Sequence, residues 1–141
     1  MDLVDGLQNI LPANVTSSTQ NIFSPLLDAY KRSELDPETG LAIFALNSTL
    51  TDLAEPSESL LATTVMQIGL DACGYLLSSA QLDSFRMGGD LSTETEIRGQ
   101  RCAYFAQAAL ELAPDEQRSW HLVADVCQDS EAIVKRSNQL R

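Results

Sequence analysis

The side chains best equipped for chemistry are one histidine, His121, and three cysteines, Cys73, Cys102 and Cys127. A general base needs a nucleophile within hydrogen-bond reach, and a thiol beside an imidazole is the pair these residue types could form. The same four side chains are the donor set of a structural zinc site, but such sites declare themselves by close pairs such as C-x-x-C. Here the cysteines stand 29 and 25 residues apart (73 to 102, 102 to 127). Each falls on the apolar side of its expected helix, where a thiol packs as a small hydrophobe. Carboxylates are plentiful, yet no Glu-x-x-His pair, Asp-rich calcium loop or glycine-rich phosphate cradle is present. The residues therefore point away from an enzyme, a metal and a cofactor, and no constellation marks a small-molecule substrate.

Two arginines stand out instead. Arg98 and Arg101 fall on or beside the apolar side of a helix expected over 94–113, in its first turns, where the helix dipole favours acids. Either they reach Asp83, Asp90 or Glu94 in the adjoining loop or snorkel past the core edge, or they anchor the carboxylates of a partner protein, which a guanidinium grips as a bidentate fork.

The elements that would position these residues read as helices. A chain of 141 residues is one domain by size. Its apolar share is 44% with only 6% aromatic, and the supply leans on Leu and Ala, which favours helix over strand. Residues 3–11 place Leu3, Leu7 and Ile10 on one face of a short amphipathic helix that Pro12 ends. The polar run "PANVTSSTQN" follows as a linker, so residues 1–20 read as a tethered arm that must dock its apolar stripe somewhere. Ser24-Pro25 and Asp36-Pro37-Glu38 are helix-start signals, for helices to about 34 and over 37–54. A broad apolar helix over 58–80 would sit mid-bundle, with Ala62, Gly69, Cys73 and Ala80 as a close-packing seam. Thr93 to Glu96 forms a capping box before the helix over 94–113. Helices over 116–128 and, capped by Asp129-Ser130, to Leu140 complete the chain.

Charge narrows the partners. Nine Lys and Arg against twenty Asp and Glu leave a formal net charge of −11. Such a field repels phosphate backbones and anionic headgroups, so neither nucleic acid nor a membrane is expected, and the partner is a protein or a second copy of the chain. The start "MDLVDGLQNILPANV" lacks a basic n-region and no run of 18 apolar residues occurs, which implies a cytoplasmic protein. On that route Asn14-Val15-Thr16 and Asn47-Ser48-Thr49 are chance matches to the glycosylation tripeptide.

Ala109, Pro114, Trp120, Val123 and Ala124 have spacings that resemble a tetratricopeptide repeat boundary, over the last 40 or so residues only. The resemblance implies a helical groove that binds peptides or partner helices. Stepping back one repeat from Trp120 and Ala124 lands on Arg86 and Asp90, which fit neither position, so a tandem array is not expected.

The expectation is thus an all-α fold, a compact bundle of about five to seven helices over 21–141 with an N-terminal amphipathic helical arm. Its function would be that of a non-enzymatic interaction module, an adaptor or assembly factor. It would dock through Leu3, Leu7 and Ile10, through the C-terminal helical hairpins, and through Arg98 and Arg101. The alternative is a structural subunit of a homo-oligomeric or viral particle with exchanged arms.

Overall fold

The computed structural model describes residues 1–48 and 60–141. It overturns the all-α expectation: the described residues form eight strands and four short helices. In order these are β1 (Asp2–Ile10), α1 (Ser17–Ile22), α2 (Ser24–Ala29), β2 (Lys31–Asp36), β3 (Leu41–Leu46), β4 (Ala62–Ile68), β5 (Gly74–Leu76), α3 (Leu82–Arg86), β6 (Glu96–Arg98), β7 (Cys102–Ala109), β8 (His121–Gln128) and α4 (Ser130–Leu140). The strands make two antiparallel sheets, a three-stranded one in the order β1-β7-β5 and a five-stranded one in the order β6-β2-β3-β4-β8. The main core lies between them, where Ile10, Cys102 and Tyr104 of the smaller sheet meet Leu35, Ala42, Phe44 and Val65 of the larger.

Each misreading has a local physical cause. Leu3 and Leu7 are four residues apart, a spacing that shares one face in a strand as well as in a helix. Ile10 would then point the wrong way in a regular strand. A bulge between Gln8 and Ile10, with Asn9 at φ 57°, restores it to the core. The presumed docking arm is therefore β1, paired with β7 from Asp2↔Ala109 to Ile10↔Cys102. Ile10 is a core residue, and Leu3 and Leu7, half-buried, pack against the core of the same chain.

The helices expected over 58–80, 94–113 and 116–128 are replaced by β4 with β5, β6 with β7, and β8. β7, "CAYFAQAA", is covered on both faces. Cys102, Tyr104, Ala106 and Ala108 face the sandwich interior, while Ala103 and Phe105 pack with Leu76 and Leu82 on the far side. A strand buried on both faces loses its alternation and cannot be told from a buried helix by period. β4 loses it likewise: Val65 faces the core, while Thr64 and Met66 are buried on the opposite face. Ser137 of α4 donates to Asp36 at the end of β2 (2.8 Å), and Arg136 pairs with Asp125 of β8 (2.8 Å).

Signals that break the chain hold better than signals of period. Pro25 opens α2, and Asp129 caps α4 by accepting from the Ala132 amide at 2.8 Å. Asp36-Pro37-Glu38 instead starts a hairpin turn: the Asp36 carboxylate accepts from the Glu38 amide at 3.1 Å, and Gly40, at φ +70°, donates to the Asp36 carbonyl at 2.8 Å. The same side-chain-to-backbone bond that caps a helix also makes an Asx turn. The expected chain break around 54–57 lies outside the described residues.

The expected close-packing seam has no helix to carry it. Ala62 opens β4, Gly69 turns out of β4 at φ +93°, and Cys73 and Ala80 lie in connections. A side chain at Gly69 would be strained by that φ and would bring its Cβ to 3.1 Å from the Ser119 carbonyl. The seam's logic is replaced by backbone conformation.

Tyr104 ties the layers together. Its hydroxyl donates to the Gly40 carbonyl (2.9 Å) and accepts from the Gln67 amide (3.1 Å). Burial, with a smaller contribution from Tyr75, pushes its pKa well above the usual tyrosine value.

Candidate functional site

One end of the sandwich is closed by α1 and α2, and there the core turns polar. β2 points Lys31, Ser33 and Leu35 inward in alternation, and Lys31 is only 2% exposed. A buried ammonium must be paired. Its Nζ donates to Gln20 Oε1 of α1 and to Asp28 Oδ1 of α2, the latter at 2.7 Å. Gln20 also donates to Asp28 Oδ1 at 3.1 Å and to Ser24 Oγ at 3.3 Å. Local sequence sets this cap: the Thr16 hydroxyl accepts from the Thr19 amide at 3.1 Å to start α1, and Pro25 starts α2.

Arg101, immediately before β7, reaches the same cluster from the other sheet. It donates to Ser24 Oγ at 2.9 Å, and its Nε lies 3.6 Å from Asp28 Oδ2. Burial pushes the Asp28 carboxyl up, but hydrogen bonds from Lys31 and Gln20 and the charges of Lys31 and Arg101 outweigh it, so its pKa is lowered.

Beside this cluster opens a cavity of about 260 Å³ lined by Asn9, Leu11, Ser17, Gln20, Asn21, Lys31 and Arg101. In a chain with twenty acids and nine bases, the lining holds two cations and no acid. Asp28 neutralises only one of the two. A lysine has three donors, and Gln20 and Asp28 account for two. The arrangement can therefore hold an anion by a charge-assisted hydrogen bond, with amide and hydroxyl donors around it. The α1–α2 corner carries Ile22, Phe23 and Leu26, exposed at 68%, 50% and 51%, next in the chain to the lining residues Gln20 and Asn21. A second cavity of about 270 Å³ at the opposite end contains Asp71, Glu111 and Arg118, so it lacks this charge bias. A third, of about 370 Å³ beside α4, is lined by Lys135 and Arg136 without an acid, but Arg136 is paired with Asp125 at 2.8 Å and neither cation is buried.

Of the residues singled out from sequence, only Arg101 reaches the site. Arg98 is on β6 in the other sheet, pairs with Glu96 at 2.6 Å and is 62% exposed. Lys31, Gln20, Asn9 and Ser17 were not legible as site residues. The available signal was the alternation of Lys31 and Ser33 with Leu35, two polar residues in phase with an apolar one.

The cysteines need a correction. Cys102 is buried, but Cys73 and Cys127 are exposed, so only one of the three packs in the core. Burial raises the Cys102 pKa, opposed by a hydrogen bond with Ser33 and the charge of Lys31, so it rests as a thiol. In native protein, two thiols should react with a disulfide reagent at rates near those of unfolded chain, and the third should react only on unfolding. Three slow thiols would contradict this placement. Among the described residues, no group of three or more His, Cys, Asp and Glu stands close enough to hold a metal ion.

The residues of the tetratricopeptide resemblance fall at the end of β7 (Ala109), in the connection (Pro114 and Trp120) and within β8 (Val123 and Ala124). Trp120 donates to Asp5 of β1 at 2.6 Å. The expected C-terminal helical hairpins are thus strands β7 and β8 followed by α4. No helix among the described residues is long and apolar enough to cross a membrane. No family model and no curated protein sequence matches the chain.

Proposed function

We propose that the protein is a non-enzymatic interaction module whose Lys31–Arg101 cavity receives a carboxylate from a partner protein. The observation that carries this reading is the lining itself, two cations without an acid in a strongly acidic chain. Arg101 presents the planar fork that suits a carboxylate, and the neighbouring Ile22, Phe23 and Leu26 suit the apolar residues beside it. Lys31 and Arg101 are fixed by Gln20, Asp28 and Ser24, so little reorganisation is needed on binding. The chain's −11 charge repels nucleic acid, and we place the protein in the cytoplasm, where its three thiols stay reduced.

The test is an NMR titration of isotope-labelled full chain with succinate, against phosphate and chloride at matched ionic strength. Succinate should shift the amides of Asn9, Gln20, Asn21 and Arg101 with a dissociation constant on the order of 1 mM, worth about 4 kcal/mol. Arg101→Met should weaken that binding about tenfold, or about 1.4 kcal/mol, while barely moving the thermal midpoint, because its side chain is 57% exposed. Phosphate binding tighter than succinate would shift the reading to a phosphorylated partner. No shift at these amides, or equal shifts with chloride, would remove the site.

A further inference from the structure

The cavity beside Lys31 and Arg101 has on its wall a hydroxyl that the fold does not use. Ser17, the first residue of α1, lines it together with Gln20 and Asn21. Residues three and four positions apart share a helix face, so all three look into the cavity from one side of α1. Gln20 is bonded to Lys31 and to Ser24, and Ser24 accepts from Arg101. Ser17 is exposed, and its side chain makes no hydrogen bond among the described residues. Its neighbours differ. The Thr16 and Thr19 hydroxyls bond to each other at 2.8 Å, and Thr16 also caps the helix. Ser18 is equally exposed but does not line the cavity, because adjacent helical positions face different ways.

We propose that Ser17 is a phosphorylation site whose phosphoserine docks in this cavity of its own chain and excludes a partner's carboxylate. The inference rests on the carboxylate site described above and supplies its regulation. In the transfer, Ser17 Oγ attacks the terminal phosphorus of a nucleoside triphosphate held by a protein kinase. The Oγ–P bond forms as the bond from that phosphorus to the bridging oxygen breaks. The hydroxyl proton passes to the kinase's base, and the nucleoside diphosphate leaves.

Reach and charge both favour the docked state. The phosphoryl group adds one phosphorus and three oxygens beside a cavity of about 260 Å³. It stands one helical turn from Gln20, with Cβ atoms about 5–6 Å apart, and Gln20 already touches Lys31. The group carries a charge of about −1.5 to −2 and three strong acceptors. Arg101 is the cation free to turn to it, because its side chain is 57% exposed and its Nε holds Asp28 only at 3.6 Å. Lys31 offers the donor that Gln20 and Asp28 leave over. Asp28, the acid paired with both cations, does not line the cavity and is held by Lys31 and Gln20. A docked phosphate and a bound carboxylate need the same donors, so one displaces the other.

The test uses full-length protein with phosphoserine in place of Ser17, and with phosphoserine in place of Ser18 as the control for added charge alone. Phosphorus NMR across pH reads the second ionisation of each phosphate, ordinarily near a pKa of about 6. Two adjacent cations favour the dianion, so the value for Ser17 should lie about 0.5 or more below that for Ser18, and Arg101→Met should remove much of the difference. A tethered occupant competes at effective concentrations of mM or more, so succinate binding should weaken about tenfold with phosphate on Ser17 and hardly change with phosphate on Ser18. Equal second ionisations at the two positions would overturn the proposal, as would equal succinate affinities, and neither result touches the carboxylate site if the unmodified chain binds succinate. An unmodified chain that does not bind succinate, with the Ser17 phosphate still lowered by Arg101, would instead remove the partner carboxylate and keep the docked phosphoserine.

Discussion

Gly6→Ala will unfold the protein more readily than any other single-methyl addition, by about 3 kcal/mol or more out of a total of about 5–15 kcal/mol. A Cβ at Gly6 would lie 1.9 Å from the Tyr104 carbonyl oxygen and 2.7 Å from both the Phe105 Cα and its Cδ1. Two of these atoms are backbone of β7, the central strand of its sheet, and cannot yield without unpairing β1. The sign is as informative as the size. On a solvated helical arm, the architecture that periodicity suggests, the same substitution would stabilise the helix by about 1 kcal/mol. A urea midpoint that rises with Gly6→Ala would therefore remove β1 from the sheet, and a sharp fall would establish it.

Asp28→Ala is expected to cost about 3–5 kcal/mol, because it strips the carboxylate from a lysine that is 2% exposed and leaves the ammonium to Gln20 alone. Lys31→Met should cost much less. The carboxylate left behind keeps Gln20, Ser24 and Arg101 as partners, and the methionine fills the buried path of the lysine stem. The asymmetry between two changes at one ion pair is the result to look for. Equal losses would show that the pair contributes no more than its packing.

Acid should reveal the same carboxylate. The folded-state pKa of Asp28 lies below its ordinary value of 3.8. A depressed carboxyl contributes stability that is present above the unfolded value and lost as pH falls through the folded one. Unfolding free energy measured from pH 5 downward should fall in the original chain, and the Asp28→Ala variant should lack that component of the fall.

Much of what the sequence conveys concerns charge and punctuation, because those are local. The imbalance of twenty acids to nine bases needs no folding to repel polyanions. Pro25 opening α2 and Asp129 capping α4 act through bonds to residues a few positions away, so they survive into the structure. Asp36-Pro37-Glu38 shows the limit of such signals. A side chain bonding the backbone two residues on marks a change of direction without saying whether a helix or a hairpin follows.

Whether a Leu- and Ala-rich segment became helix or strand was decided by tertiary contacts. Leu3 and Leu7 satisfy both periods, and only pairing with β7, with the bulge at Asn9, makes Ile10 a core residue of a strand. β7 itself has no alternation to read, because one face meets the large sheet and the other meets Leu76 and Leu82. The site was still less accessible. Asn9, Gln20, Asp28, Lys31 and Arg101 come from the bulge of one strand, two capping helices, the start of a second strand and the entry to a third, up to 92 positions apart (9 to 101). Their meeting follows from the β1–β7 register, which sets Ile10 beside Cys102 and so brings Arg101 to the helices that close the sandwich. Burial of Lys31 is a property of that assembled end. In the chain alone it is one of nine basic residues, and only the fold, by surrounding it with Gln20 and Asp28 and leaving an unacidic cavity beside it, makes it different from the others.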